Sequence, residues 1–291
     1  MASLKDIRQR LKAIKNIQKV TNAMKMVAAA RLRRSQMNME QARPYARRIN
    51  EVLEHLLPAI DRSLNPLLAV REPEKVGFVI ITADRGLCGG FNGNIIRTAI
   101  GLLQEYDRDE VSLICVGKKG RNYFVKEGYN VIGQYTDFWN ELAFQHAAGI
   151  MEQVRRLYLE NNLDKVTLIY NEFKNVVRQE IVTRQLLPLI LSEVENGSGP
   201  APEFGEYLFE PSEENIVNSL VPRHLNVQVW QALLESNAAE QAARMNAMGA
   251  ATENAGEMIS TLTLEYNKAR QAAITKELLE IVSGAEALVK A

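Results

Sequence analysis

The chain has 291 residues, 46% of them hydrophobic, and its 35 Lys and Arg balance 35 Asp and Glu. That length allows one large domain or two small ones with a real core, and zero net charge excludes a general polycation. Two cysteines, Cys88 and Cys115, argue against a disulfide scaffold and suggest a reducing compartment. No run of 18 apolar residues is present to span a bilayer. The N-terminal apolar residues are spaced rather than continuous, so no signal peptide is expected.

Charge is unevenly spread. Residues 1–48 carry 13 Lys or Arg against Asp6 and Glu40, whereas residues 235–291 carry 5 basic and 8 acidic residues. Opposite excesses at the two ends of a neutral chain point to a localised electrostatic contact.

The first predicted element is a long helix over 1–60. Leu4, Ile7, Leu11, Ile14, Ile17, Thr21, Met24 and Ala28 follow steps of three and four, a stripe that favours a coiled-coil seam. Ser3 followed by Asp6 resembles a capping box with Asp in the Glu position, which predicts the start. The pattern runs on through Leu53 and Leu57 to Pro58, with a kink or brief interruption expected at Pro44.

The texture then changes over 61–211. "KVGFVIITADRG", "VSLICVG" and "DKVTLIYNEF" read as strands, and helical patterns at 94–106, 118–127 and 141–161 alternate with them. This alternation predicts a small open α/β sheet with a parallel core, Rossmann-like in layout. "ENGSGPAPEFGEY" at 195–207 reads as a linker.

Residues 212–291 read as a second long helix with one proline, Pro222, after which strong helix formers dominate. Ile259, Leu262, Tyr266, Ala269 and Ala273 hold a second seam, and its alanines admit a close partner. Both long helices flank one middle domain, so an antiparallel pair is expected; the plainer alternative is two amphipathic helices folded on a globule. At ~1.5 Å per residue, 3–58 spans roughly 84 Å and 212–289 roughly 117 Å. With residues 58 and 212 level, residue n faces about 270 − n, and the second helix loses its partner near Lys268. Beyond that point Ile274, Leu278, Leu279, Ile281, Val282, Leu288 and Val289 require cover from another protein.

Catalytic chemistry is not written in the sequence. The loop "DRGLCGGFNGN" follows a strand and precedes a helix, but its glycines do not fit G-x-G-x-x-G and no Gly-Lys-Ser/Thr follows. A tight turn needing positive φ is the preferred reading there. His55, His146 and His224 are scattered without ligand spacing, so no metal and no cofactor is expected. Cys88 reads as a small buried residue rather than a reactive thiol. A basic coiled-coil nucleic-acid binder is the serious alternative for the first helix. Against it, the first 60 residues hold one aromatic, Tyr45, and the apolar seam commits one face to a helix partner. An import presequence is a second rival, but the seam extends far beyond such a segment.

"MASLKDIRQRLKAIKNIQKVTNAMKMVAAARLRRSQ", "LTLEYNKARQAAITKELLEIVSGAEAL" and the central "TADRGLCGGFN" closely resemble the gamma subunit of F-type ATP synthase, over essentially the whole chain. The resemblance implies a non-catalytic rotary shaft inside a ring of alternating alpha and beta subunits. It also implies contact with the epsilon subunit and the membrane ring of c subunits, and none with nucleic acid. Ion flow would turn the shaft, and ATP would be made on beta, at the cytoplasmic face of a bacterial membrane. By position, Met24, Lys25, Arg244, Arg270 and Gln271 match the family's contacts with beta. Leu278, Ile281, Val282 and Leu288 match the apolar bearing tip. Plastid members carry an inserted two-cysteine segment; residues 190–215 hold no cysteine, so thiol control is not expected. The start and length fit a bacterial member.

Overall fold

A computed structural model describes residues 4–56, 65–190 and 213–289, with side chains described over 4–53, 65–190 and 215–283. The long helices are α1 (Leu4–Leu56) and α5 (Glu213–Val289). Between them lie β1 (Val76–Ile81), α2 (Phe91–Leu103), β2 (Val111–Val116), α3 (Lys118–Lys126), β3 (Val131–Tyr135), α4 (Phe144–Leu159), β4 (Lys165–Phe173) and β5 (Gln179–Leu187). The expected linker at 195–207, and Ser3 of the expected cap, lie outside the described residues. The helical assignment of α1 continues through Pro44, so no interruption occurs there. Proline removes one ladder hydrogen bond and crowds the carbonyl four residues back, a local cost that the remaining turns of so long a helix offset.

The chain divides into two compact units: residues 1–28 with 245–291, and residues 29–244. In the larger unit the sheet order is β3-β2-β1-β4-β5, parallel except for the β4–β5 pair. β1 is buried at all six positions, as a central parallel strand covered on both faces must be. One face carries Val79, Ile81, Ile114, Val116, Leu168 and Tyr170 into a core with α4 (Ile150, Val154, Tyr158) and α5 (Val221, Leu225, Val229, Leu233). Leu53 of α1 joins the same core, and farther back along α1 Ala46 and Ile49 pack on Val227.

Two strands escaped the sequence reading. β3 is a half-buried edge containing Gly133, and β5 is an antiparallel edge exposing Thr183 and Arg184. Neither offers the continuous apolar run that marks a central strand.

The smaller unit is a helix pair. The Thr252 hydroxyl donates to that of Thr21 at 2.8 Å, and Arg8 Nη2 donates to the Tyr266 hydroxyl at 2.6 Å. A Cβ added at Gly249 would sit 3.7 Å from Lys25 Cε, and one at Gly256 would sit 3.2 Å from Gln18 Nε2. The paired numbers total 273 or 274 throughout, which fixes an antiparallel register. It lies about one helical turn from the expected total of about 270; residues 58 and 212, from which that total is counted, lie outside the described residues. The expected total puts Met24 near Met245 and Arg244; the observed register sets it level with Ala250 instead. The seam also runs through half-buried Gln18, with Ile17 turned out at 54% exposure. Gly256 leaves room for the Gln18 amide at the position where the stripe was expected to place isoleucine.

Candidate functional site

The strand order reverses between β1 and β4, the position at which doubly wound sheets bind phosphates. Here the loop after β1 is tied down from within. Asp84 accepts hydrogen bonds from the Lys118 N–H at 2.9 Å and the Asp137 N–H at 2.7 Å. Asn92 accepts from the Ala83 N–H at 2.9 Å and donates to the Cys88 sulfur at 3.2 Å. Gly89 takes φ 56°, as a tight turn requires, and Leu87 shares the left-handed region at 63°. On the neighbouring loop, Gly117 at φ 92° passes so close to Thr82 that a Cβ would lie 2.1 Å from its carbonyl oxygen.

Into this loop reaches Arg244 of α5. Its Nη2 donates to the Gly86 carbonyl at 3.2 Å, and its Nη1 donates to Gln241 Oε1 at 3.3 Å and to Glu240 Oε1 at 2.6 Å. The side chains of Arg244 and Glu240 are only 10% and 6% exposed. Burial raises the Glu240 carboxyl, against the pull of the Arg244 guanidinium. Burial likewise raises the Cys88 thiol, again opposed by Arg244, so Cys88 is a packed thiol. The loop thus offers a carbonyl to a cation, the opposite polarity from a phosphate cradle. A polar cavity of about 330 Å³ opens beside it, its lining including Arg31, Arg34, Asp84, Arg85, Glu240 and Arg244.

In the smaller unit, Met24 is half-buried in the seam, and Lys25 is exposed with its stem over Gly249. Beyond Ala273 every described side chain of α5, through 283, is exposed. Arg270 and Gln271 are exposed just before that point. Leu278 is 57% exposed, Ile281 68% and Val282 54%. The Leu288 side chain lies outside the described residues.

The predicted contact residues therefore form no single cluster. Arg244 is locked internally, whereas Arg270, Gln271 and the apolar end of α5 face outward. The pattern of "LESNAAEQ" places its carboxylates on exposed helix faces as solvated charge, but Glu240 is buried against Arg244 and Glu235 is half-buried, because this stretch of α5 docks on the middle domain instead of facing water. Gln241 and Gly86 carry no sequence signal as partners of Arg244. The Glu240–Arg244 spacing of i, i+4 in "EQAAR" was the available signal.

Comparison with known proteins supplies context. The family model described as ATP synthase matches residues 3–288. The ATP synthase gamma chain of Chlorobaculum parvum is 53% identical over 295 residues, and that of Chlorobium phaeobacteroides 52% over 294; both alignments cover 99% of each chain. In the cryo-EM central stalk/c-ring of the Tetrahymena thermophila mitochondrial ATP synthase, one chain is similar with 28% identity and a TM-score of 0.63. That match covers 80% of this chain and 99% of the other. A chain of the Euglena gracilis mitochondrial enzyme is similar in fold, with a TM-score of 0.70 at 22% identity over 98% of this chain and 94% of that one.

Proposed function

This chain belongs to the ATP synthase gamma-chain family, and from that premise we propose that it is the central rotor shaft of an F-type ATP synthase. Turning within the complex, it couples transmembrane ion flow to ATP synthesis or hydrolysis on the beta subunits. The observation that carries this reading is the family match over residues 3–288. The full-length likeness favours the rotor over the nucleic-acid alternative.

The geometry suits the role. Paired over residues 4–28 and 245–270, the helices make a stiff rod; past Ala273, α5 continues alone with Ile274, Leu278, Leu279, Ile281 and Val282 exposed. Each such side chain is worth about 1.5–3 kcal/mol when fully buried, a reason for this end to sit inside a sleeve of alpha and beta subunits. Apolar contact is non-directional, so a turning helix breaks no hydrogen bonds against it.

Met24, Lys25, Arg270 and Gln271 are proposed to meet loops of beta. Arg244 is proposed to do so from the floor of the polar cavity that it lines. The segments 1–60, 61–211 and 212–291 serve as first shaft helix, middle domain and second shaft helix. The middle domain is proposed to meet the epsilon subunit and the ring of c subunits. No described helix is long and apolar enough to cross a membrane. We place the chain as a peripheral, non-catalytic component at the cytoplasmic face of a bacterial membrane.

Reconstitution with alpha and beta subunits tests this. The chain is expected to enter the ring complex and to be required for its steady ATP hydrolysis, while hydrolysing none alone. A chain that stays out of the complex, or hydrolysis by the purified chain itself, contradicts the proposal.

A further inference from the structure

Glu235 stands on the side of α5 that packs over the β4–β5 half of the sheet. In that ladder Leu168 pairs with Arg184, Tyr170 with Val182 and Glu172 with Glu180, so these six share one face. Tyr170 is 2% exposed and lies in the same core as Val229, Ala232 and Leu233 of α5. His224, Gln228 and Glu235, spaced by four and then seven positions, fall on one stripe of the helix. Glu235 is half-buried as a residue, but its Oε2 is buried and meets no hydrogen-bond partner among the described residues.

The charged groups facing this carboxyl come from every element around it. Glu172 of β4 repels it; Arg184 of β5, Lys174 just past β4 and Arg43 of α1 attract it; the Tyr170 hydroxyl lies against it. The attraction is diluted elsewhere. Lys174 is ion-paired to Glu172 at 2.7 Å, and the Arg184 guanidinium lies 6.0 Å from the centre of the Tyr170 ring. No ion pair reaches Glu235 among the described residues.

We propose that Glu235 is a proton-controlled latch holding α5 on the outer half of the sheet. With the carboxyl neutral, it stays buried beside Tyr170. With the carboxylate charged and unpaired, the helix-to-sheet contact loosens, because an uncompensated buried charge is costly.

Burial first, then Glu172, holds this carboxyl up at about 7, so the latch works around neutral pH. The sign follows from the folded value lying above the unfolded one. The hold is complete below the ordinary carboxylate range and is lost as pH rises through about 7. Between pH 6 and 8 the equilibrium for local opening rises about tenfold. If the chain turns as proposed, the stiffness of its middle domain then depends on pH; the latch itself requires only this fold.

Backbone hydrogen exchange in the purified full chain tests it, read over 168–172 and 228–240 and corrected for the intrinsic pH dependence of exchange. Protection in the native sequence is expected to fall about tenfold from pH 6 to 8, and Glu235→Gln, permanently neutral, is expected to flatten that slope. Should Glu235→Gln not fold, Glu172→Gln decides: removing the like charge and freeing Lys174 moves the midpoint to lower pH. Protection independent of pH in the native chain, an unchanged slope in Glu235→Gln, or an unmoved midpoint in Glu172→Gln overturns the latch.

Discussion

Arg8 and Tyr266, 258 positions apart, are joined by a 2.6 Å hydrogen bond, with the Arg8 guanidinium carbon 5.6 Å from the centre of the Tyr266 ring. This contact fixes the register near the start of α1, where the helix pair is about to end. The same register predicts that Thr21→Cys with Thr252→Cys, whose hydroxyls meet at 2.8 Å, forms a disulfide readily in the purified chain. Thr21→Cys with Met245→Cys, two turns back along α5, should form it several times more slowly. Equal rates for the two pairs would remove the register.

Arg270 and Gln271 stand where the pair gives way to a single helix. Replacing both by alanine should leave the helix intact, since alanine is the better helix former. A guanidinium bonded to a loop of beta contributes about 1.5–3 kcal/mol per charge-assisted bond, so the double variant should slow turnover or assembly of the complex. Hydrolysis and ion pumping at matched subunit content are the readouts. Native rates in that variant would remove the pair from the contact.

Glu240 compensates a guanidinium that has almost no access to water. Glu240→Ala should destabilise the purified chain by roughly 3–5 kcal/mol, because Arg244 is left buried without its carboxylate. Denaturant unfolding measures this. Exposed Glu257 on the same helix serves as the control, since alanine there should change stability by less than about 0.5 kcal/mol.

His224 is 1% exposed, and burial followed by the nearby charge of Arg184 lowers it to about 4. Its folded value lies below the unfolded one, so its contribution is complete above the ordinary histidine value and is lost as pH falls towards about 4. His224→Gln should lose less stability than the native chain on acidification, by up to about 3 kcal/mol. Glu235 acts in the opposite direction over an overlapping range, so the two slopes separate cleanly only in the single variants.

The long helices were legible because their apolar stripes repeat over many turns, and β1, β2 and β4 because central parallel strands are continuously apolar. The half-buried set Ile259, Leu262, Tyr266, Ala269 and Ala273 is the stripe read from the sequence. β3 and β5 were not legible, because an edge strand's half-polar pattern resembles a loop. α2 begins at Phe91, three residues before its expected start, because Phe91 already belongs to the buried face. Local spacing within "EQAAR" could reveal Glu240 beside Arg244. No spacing could reveal the Gly86 carbonyl, 158 positions away, as the third partner. Tertiary partners of a buried charge are set by how the helix docks, which the one-dimensional pattern does not contain.

The most direct measurement of the rotor assignment is the motion itself. Alpha and beta subunits are assembled with this chain and fixed to a surface, and an optical probe is attached through a cysteine placed at Asp107. On addition of ATP the account predicts sustained rotation of the probe in one direction, stopping when ATP is exhausted. A complex that contains the chain and hydrolyses ATP at full rate, yet never turns the probe, would contradict it.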